Sequence, residues 1–195
     1  MELTHAVITS VNRDDLPDGG SNFFAQTINE VKRLNPSTSV EVLIPDFKGD
    51  KGAIDNIIEA SPEVLNHNLE TVPSLYPKVR PGSDYQQSLA LLKNFKEKHP
   101  SVKTKSGLML GVGETQKQVI DVLKDLRKHK VDMLTLGQYL QPSRHHLAVE
   151  EYISPEQFEH YKTIAEELGF SQVASGPMVR SSYHADLQAK GELVN

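Results

Sequence analysis

The sequence predicts an α/β protein built on a parallel sheet. Short apolar, β-branched segments alternate with amphipathic segments of helical period, and this alternation is typical of right-handed βαβ units. About five strands are indicated, with a short sixth, which is too few to close an eight-stranded barrel. A partial barrel or an open doubly wound sheet therefore remains, as one domain over residues 1–195.

The strands are expected where apolar and β-branched residues cluster between turn signals. These segments are residues 5–10, 40–45, 64–67, 108–110, 131–136 and 172–174. The first begins within a few residues of Met1 and has no helix before it. If no earlier strand covers it, we expect residues 5–10 to form an exposed apolar edge that favours aggregation or pairing with another chain.

Helices are expected between the strands, at residues 20–34, 52–60, 83–99, from 115 onward and from 154 to 168. Ser83 with Gln86 and Thr115 with Gln118 have the spacing of a capping box. Ser154 precedes Pro155 and the next helix, a typical serine cap. The carboxyl end predicts a short capped helix, with Ser181 or Ser182 as its N-cap and Asp186 near its first turn.

The stretch from Thr104 to Thr115 (TKSGLMLGVGET) organises the prediction. Its apolar run enters a turn at Gly111 and Gly113, which leaves bare backbone at the carboxyl end of a strand, where α/β sheets bind ligands. As a dinucleotide fingerprint the turn is weak, because the third glycine and the acidic ribose contact are absent. We expect a ligand to dock on this turn.

Polar residues follow the first, third and fifth strands, at 12–20, 66–71 and 137–146. Each loop by itself has a purely structural interpretation. Asp18-Gly19-Gly20 is compatible with a turn and a helix start, Asn66-His67-Asn68 with a strand-end hydrogen-bond network, and His145-His146 with exposed or phosphate-facing side chains. Because parallel strands bring these loops to one edge of the sheet, their convergence favours a binding or catalytic face.

Composition excludes several classes of function. The net charge of −5 and a pI near 5.9 provide no basic surface for nucleic acid or an anionic membrane. No segment reaches the roughly 20 apolar residues of a membrane span, and the start lacks a signal peptide, so we expect a cytoplasmic protein. The absence of cysteine excludes disulfides and removes the usual ligands of iron–sulfur sites and many zinc sites.

Several segments closely resemble lipoyl synthase, a radical S-adenosylmethionine (SAM) enzyme family, and the resemblance runs over essentially the whole chain. The matching segments are VITSVNRDDLPDGG at 7–20, VLNHNLETVP at 64–73, VRPG at 79–82, KSGLMLG at 105–111, LGQYLQPSRHH at 136–146 and VRSSY at 179–183.

The resemblance implies a partial (β/α)6 barrel of parallel strands that uses SAM and two [4Fe-4S] clusters. One cluster cleaves SAM reductively, and the auxiliary cluster donates sulfur. Deoxyadenosyl radicals then abstract hydrogen from carbons 6 and 8 of an octanoyl chain on a lysine of a carrier domain, and sulfur is inserted at each carbon. The implied partners are octanoylated lipoyl carriers, namely the acyltransferase components of 2-oxoacid dehydrogenases and the glycine cleavage H protein.

The resemblance also implies site residues. Asp18-Gly19-Gly20 is expected at the methionine end of SAM, and Gly107 to Glu114 beside its adenine. Asn66, Asn68, Gln138 and Arg180 are expected to face the cofactor or the substrate. The cofactor-binding set is therefore Asp18, Gly19, Gly20, Asn66, Asn68, Gly107, Gly111, Gly113, Glu114, Gln138 and Arg180. In the tail at 175–195, which is expected to cap the auxiliary cluster, Ser182 is the implied non-cysteine iron ligand, a harder donor than thiolate.

The chain departs from the family in one respect. The two cysteine triplets that hold the clusters are absent, and residues 5–10 would correspond to the second barrel strand, so the barrel would lack its first strand. We therefore expect the chain alone to hold neither cluster and to be inactive unless a separate N-terminal cysteine-bearing segment supplies the thiolates.

Three interpretations stand. The chain is the C-terminal portion of a lipoyl synthase, as a fragment or as half of a split enzyme. Alternatively, it is a non-catalytic module that binds a carrier domain or the cofactor. The third is an independent α/β enzyme that uses the glycine turn for another, phosphorylated ligand.

Overall fold

The computed structural model describes residues 3–192 and contains one parallel sheet of six strands. The strands are β1 His5–Thr9, β2 Ser39–Leu43, β3 Val64–Asn66, β4 Lys103–Leu110, β5 Met133–Gln138 and β6 Gln172–Gly176. The helices are α1 Ser21–Leu34, α2 Lys51–Ala60, α3 Tyr76–Val79, α4 Tyr85–Lys98, α5 Gln116–Lys128, α6 Pro155–Glu167 and α7 Ala185–Lys190, with 3-10 turns at Phe47–Gly49 and Pro73–Leu75.

The strand order decides between the two predicted architectures. Each strand pairs in parallel with the next one in the chain, from β1 to β6 without a reversal. Right-handed crossovers that all proceed in one direction place their helices on one face, whereas a doubly wound sheet needs a switch point. Helices α1 and α2, α2 and α4, and α5 and α6 contact one another accordingly. The fold is therefore a partial barrel, and the sheet is not closed, since β1 and β6 are its edges.

The two faces of the sheet differ in chemistry. Parallel pairing keeps aligned residues on one face, and Leu43, Asn66 and Lys105 are aligned across β2, β3 and β4. Their face also carries Glu41 and Gly107 and forms the concave inner surface. The alternate residues pack beneath the helices in the main apolar core: Val40, Val42, Leu65, Leu108, Leu110, Leu134, Leu136 and Val173.

Most element boundaries lie within two residues of the prediction, and the start of β4 is the exception. Strand β4 begins at Lys103, five residues before the predicted start, because the buried polar residues Thr104, Lys105 and Ser106 extend it. The predicted capping box of Ser83 and Gln86 is wrong, since the Asp84 carboxylate accepts from the Gln87 amide at 2.8 Å and α4 begins at Tyr85.

The predicted caps at Thr115 and Ser154 are confirmed. The Thr115 hydroxyl accepts from the Gln118 amide at 3.3 Å, while the Gln118 side chain accepts from the Thr115 amide at 2.8 Å, which completes the capping box of α5. The Ser154 hydroxyl accepts from the Gln157 amide at 3.2 Å at the start of α6.

The C-terminal segment, residues 177–190, crosses the concave face from β6 toward β1. Val179, Tyr183 and Leu187 pack with Ala174 of β6, and α7 contacts β1. The predicted cap at Ser181 or Ser182 is wrong, because His184, in a left-handed conformation with φ of 44°, occupies the N-cap of α7. Asp186 lies in the first turn as predicted.

Within residues 3–192, no helix combines the length and apolar character needed to cross a membrane.

Candidate functional site

A cavity of about 310 Å³ lies at the carboxyl ends of β2 to β5, against the C-terminal segment. Small-molecule sites commonly enclose about 300–1,000 Å³, so the volume is at the lower end of that range. Its lining consists of Leu43, Asn68, Glu70, Gly107, Leu108, Met109, Thr135, Gly137, Gln138, Leu140, Val179, Arg180 and Ser181. The segments after β3 and β5 meet here, as the sequence predicted, whereas the loop after β1 does not contribute to the lining.

The cavity brings together four of the predicted site residues: Asn68, Gly107, Gln138 and Arg180. The other predicted residues lie outside its lining. Asn66 is fully buried on the concave face, where its amide donates to Glu41 at 3.2 Å. The Asp18–Gly20 loop and the Gly111–Glu114 turn lie outside the cavity and contact other parts of the protein.

Asn68 presents an unsatisfied acceptor at the cavity. Its Nδ2 donates to the Ser181 hydroxyl at 2.7 Å, while its Oδ1 is buried and has no hydrogen-bond partner among residues 3–192. A buried polar atom left unpaired costs about 1–3 kcal/mol. A ligand that carries an N–H or O–H donor would satisfy it.

Glu70 supplies the cavity's carboxyl group, although the sequence analysis did not single it out as a site residue. Its backbone has φ of 66° and pairs with β4, donating to Gly107 O at 3.0 Å and accepting from the Met109 amide at 2.8 Å. Burial raises the pKa of the Glu70 carboxyl, and the Asn68 hydrogen bond and the Arg80 charge oppose that rise. The sequence signal was the polar alternation of Asn66, Asn68 and Glu70 after β3.

Two glycines of the inner face permit close packing around the cavity. A Cβ on Gly107 would collide with the Thr135 hydroxyl and lie 3.0 Å from Asn68 Oδ1. A Cβ on Gly137 would collide with the Val179 carbonyl oxygen. Both glycines are therefore required for close approach, and neither has a positive φ.

The chain's own groups occupy the glycine turn at 111–114. The Glu114 carboxylate accepts from the Gly111 amide at 2.6 Å and from the Val112 amide at 3.0 Å. The Gly111 carbonyl accepts from the Glu150 amide at 2.9 Å. Backbone amides that would suit a phosphate are thus satisfied by a carboxylate of the same turn.

Gln138 holds residues 150–153, the segment before α6 that covers this turn. Its Nε2 donates to Glu151 O at 3.0 Å, and its Oε1 accepts from the Ile153 amide at 2.9 Å. Both ends of the amide are therefore engaged within the protein. Gln138 is itself part of the cavity lining.

Asp18 organises the start of α1. Its carboxylate accepts from the Asn22 amide at 2.8 Å, the Gly20 amide at 3.1 Å and the Ser21 hydroxyl at 3.2 Å. These hydrogen bonds, the one from Asn22 first, lower the pKa of Asp18. Gly19 lines a separate groove of about 440 Å³ that also includes Lys48. A cofactor role for this loop stays a prediction.

The histidine of the Asn66-His67-Asn68 motif belongs to a buried hydrogen-bond network. His67 Nδ1 donates to Ile44 O at 2.9 Å, and Nε2 accepts from the Ser88 hydroxyl at 3.0 Å, so the ring is the neutral Nδ1–H tautomer. Burial lowers the pKa of His67 to about 4. Its contacts are those of a structural residue.

A buried ion pair on the concave face was missed by the sequence analysis. Lys105 Nζ lies 3.2 Å from Glu41 Oε1, and both side chains are fully buried. Lys105 Nζ also donates to Ser181 O at 2.7 Å. Burial lowers the pKa of Lys105, and the Glu41 charge opposes that shift. The sequence signal for this pair was a charged residue, Glu41 or Lys105, inside each of two strands whose adjacent residues are buried.

The donors of this chain do not fit an iron–sulfur cluster. The sequence contains no cysteine, and residues 3–192 contain no group of three or more histidine, aspartate or glutamate side chains that could hold a metal ion. Ser182 is exposed to solvent, whereas the neighbouring Ser181 is partly buried. One serine oxygen cannot replace the thiolates that such clusters require.

A family model described as the radical SAM superfamily matches residues 2–126. The chain belongs to the radical SAM superfamily. Over its whole length it is 66% identical to a lipoyl synthase from Ruthia magnifica subsp. Calyptogena magnifica, of which it covers 62%. It is 61% identical to a lipoyl synthase from Aliivibrio fischeri and covers 61% of that protein. The chain therefore spans about three fifths of the length of the curated relatives it matches.

Two solved structures show the same fold. Methylornithine synthase aligns with 87% of this chain and 49% of its own at a TM-score of 0.66 and 14% identity. A domain of pyruvate-formate lyase-activating enzyme from Bacteroides vulgatus aligns with 87% of this chain and 98% of its own at a TM-score of 0.60 and 13% identity. At such identities the likeness shows the fold alone, and it confirms the predicted partial barrel.

The cavity residues fit the cofactor after which the superfamily is named. Asn68 Oδ1 offers an unpaired acceptor, Glu70 offers a carboxyl group, and Gly107 leaves the strand backbone bare. SAM carries the complementary groups, namely hydroxyls and amines with N–H and O–H donors and a flat adenine ring. The SAM expectation therefore meets a suitable set of residues, whereas the cluster expectation does not.

Proposed function

We propose that this chain forms the SAM- and substrate-facing part of a lipoyl synthase, which inserts two sulfur atoms at carbons 6 and 8 of a protein-bound octanoyl chain. One observation carries the proposal: Asn68, Gly107, Gln138 and Arg180, from four of the segments that resemble lipoyl synthase, line a single cavity. Identities of 58–66% to curated lipoyl synthases over the whole chain support it.

SAM would be held by the cavity's polar groups. Asn68 Oδ1 and the Glu70 carboxyl would accept hydrogen bonds from its hydroxyl or amino groups, while Leu108 and Met109 would pack beside its adenine. When bound, SAM supplies the deoxyadenosyl group that the family uses to activate a carbon–hydrogen bond. The protein's own contribution is to orient this group and keep it from water. Roles for Asp18–Gly20 and for Gly111, Gly113 and Glu114 at the same cofactor remain part of the proposal.

The clusters would need thiolates from outside this chain. We propose that a cysteine-bearing segment provides them, that Ser182 contributes a non-cysteine ligand to the auxiliary cluster, and that the chain alone is inactive. The absence of cysteine supports this proposal, since iron–sulfur clusters depend on thiolate ligands. No chemical step can be assigned to clusters that the chain's residues do not fit.

The proposed substrate is an octanoylated carrier domain, such as an acyltransferase component of a 2-oxoacid dehydrogenase or a glycine cleavage H protein. Leu43, Met109, Leu140 and Val179 give the cavity an apolar side that suits an aliphatic chain. The exposed loop at 140–148 leads away from this mouth, where a carrier would have to approach.

A second candidate is a non-catalytic module that binds the cofactor or a carrier domain, and the absence of cysteine favours it. An independent enzyme acting on a phosphorylated ligand at the glycine turn is disfavoured, because Glu114 occupies the amides that a phosphate would use.

The test is anaerobic reconstitution followed by iron and sulfide quantitation and electron paramagnetic resonance. The chain alone is compared with the chain mixed with a cysteine-bearing N-terminal segment from a lipoyl synthase relative. Lipoyl product and clusters in the mixture only, with one cluster perturbed by Ser182→Ala, are the expected result. Turnover by the chain alone would refute the proposed dependence. SAM binding without clusters or turnover in either sample would favour the non-catalytic module.

A further inference from the structure

The C-terminal segment forms one wall of the cavity, and two side chains of the sheet region hold it. Lys105 Nζ donates to Ser181 O at 2.7 Å, and Asn68 Nδ2 donates to Ser181 Oγ at 2.7 Å. Within residues 3–192, no other side chain of the strands donates a hydrogen bond to residues 177–190. Several hydrogen bonds of the segment are local, such as Val179 N to Gly176 O at 3.1 Å. Both hydrogen bonds end on Ser181, so the polar attachment of this wall to the sheet depends on that one residue.

Lys105 is oriented by a carboxylate that is itself surrounded by polar groups. Glu41 lies 3.2 Å from Lys105 Nζ, accepts from Asn66 Nδ2 at 3.2 Å, and faces His5 Nε2 at 3.7 Å. Glu41 and Lys105 are both fully buried. The ammonium is thus aimed along a fixed direction, from β2 across β4 to the segment.

Stability alone does not account for such a pair. Replacing a buried ion pair by apolar residues of similar volume is often neutral or stabilising, so a buried pair is weak evidence for a purely stabilising role. Lys105 also has a donor to spare for Ser181, which a simple neutralising partner of Glu41 would not need. The geometry gives the pair a specific task at the cavity wall.

We infer that Lys105, oriented by Glu41, is a positioning residue that holds Ser181 and thereby keeps residues 179–181 in place as the wall of the cavity. Lys105 is not among the residues that line the cavity, so it acts through the segment. Loss of this contact releases the segment from the concave face and weakens ligand binding. The part that concerns SAM rests on the proposed function, whereas the part that concerns the segment does not.

The experiment compares three variants of the full chain with the unmodified chain. Lys105→Met removes the donor and leaves Glu41 buried without its partner. Glu41→Gln/Lys105→Met removes the donor and also the unpaired charge, so this variant stays folded if the single variant does not. Lys103→Met is the matched control, because Lys103 lies two residues earlier on the same strand and face and is exposed.

Amide hydrogen exchange of residues 177–190 is the readout that needs no ligand. We expect exchange of this segment to become about tenfold faster or more in both Lys105 variants, as a lost charge-assisted hydrogen bond implies, and to be unchanged in Lys103→Met. A double variant that regains thermal stability but keeps fast exchange in the segment separates positioning from simple charge neutralisation.

Wild-type exchange in the double variant would overturn the inference, since Lys105 would then only neutralise Glu41. Equal acceleration in Lys103→Met would overturn it as well. SAM titration of the same proteins should show at least tenfold weaker binding in both Lys105 variants. If the unmodified chain binds no SAM, the proposed function fails, while the exchange experiment still decides whether Lys105 holds the segment.

Discussion

The carbonyl oxygen of Val179 lies directly over Gly137, in the space that a side chain on β5 would fill. The C-terminal segment therefore approaches the sheet more closely than any other residue type would permit at position 137. The cavity owes one of its walls to this contact and to the polar attachment of Ser181.

Gly137→Ala should displace the C-terminal segment. The added Cβ would collide with backbone atoms of Val179, which cannot rotate away, and overpacking of this kind typically costs about 1–3 kcal/mol. Gly176→Ala is the matched control, because Gly176 pairs with Gly137 and its Cβ would lie at an ordinary 3.6 Å from Val179. Urea unfolding and hydrogen exchange of residues 177–190 measure both effects. Equal stability of the two variants would contradict the packing argument.

Glu70→Gln should stabilise the fold at neutral pH and weaken SAM binding. Because burial raises the pKa of Glu70, the folded state holds a proton more firmly than the unfolded state, and stability falls as the pH rises through the folded pKa. Glutamine keeps the shape of the glutamate side chain and removes the loss of stability that ionisation causes. It also removes the proposed carboxylate acceptor. Thermal melts at pH 5 and pH 8, together with SAM titration, test both halves. A variant with unchanged SAM affinity would exclude Glu70 from the cofactor site.

Acidification should destabilise the protein through His67. Its folded pKa of about 4 lies below the unfolded value of 6.5, so its contribution is complete above pH 6.5 and is lost as the pH falls toward 4. That difference corresponds to roughly 3 kcal/mol. His67→Gln should flatten the dependence of the unfolding free energy on pH in this window, whereas His160→Gln, at an exposed position, should leave it unchanged. An unaltered slope in His67→Gln would show that other groups dominate.

The chain alone should self-associate through the groove beside β1. Val11 and Phe23 are 77% and 59% exposed and line an apolar groove of about 210 Å³ next to this edge strand. Exposed edges of this type pair with other chains. Val11→Ser/Phe23→Ser should reduce the sedimenting oligomer, and Leu34→Ser, on the same helix as Phe23 and 64% exposed, should not. A chain that is already monomeric at high concentration would refute this expectation.

Asp84→Ala should destabilise α4 by about 0.5–2 kcal/mol, because the carboxylate satisfies the Gln87 amide. Ser83→Ala, one residue away, should have almost no effect. Chemical denaturation of the two variants measures the difference. A larger loss for Ser83→Ala would restore the cap that the sequence predicted.

Much of the fold follows from local sequence patterns. The alternation of strands and helices and the caps at Thr115 and Ser154 are confirmed, since each depends on neighbouring residues in the chain. The exceptions are instructive. Strand β4 extends through Thr104, Lys105 and Ser106, whose burial depends on partners from β2 and from the C-terminal segment.

The site shows the same division. Resemblance and loop position predicted that Asn68, Gly107, Gln138 and Arg180 face a ligand, and the four residues line one cavity, while their role toward a cofactor stays a prediction. Glu70 was overlooked because its importance arises from burial, which raises its pKa, and from a backbone bridge to β4. The Glu114 carboxylate accepts hydrogen bonds from the backbone amides of the turn that was expected to bind a ligand. The pattern of glycines does not reveal this occupation.

By itself, the sequence determined the α/β fold class, the starts of α5 and α6 and the absence of thiolate ligands, because these depend on composition and on residues within a few positions of one another. The tertiary structure decided that the sheet is a partial barrel, that Glu41 and Lys105 meet across β2 and β4, and that the chain's own C-terminal segment closes the cavity. Residues 41, 105 and 181 are far apart in sequence. Only the strand order and the curvature of the sheet bring their polar groups within hydrogen-bond distance.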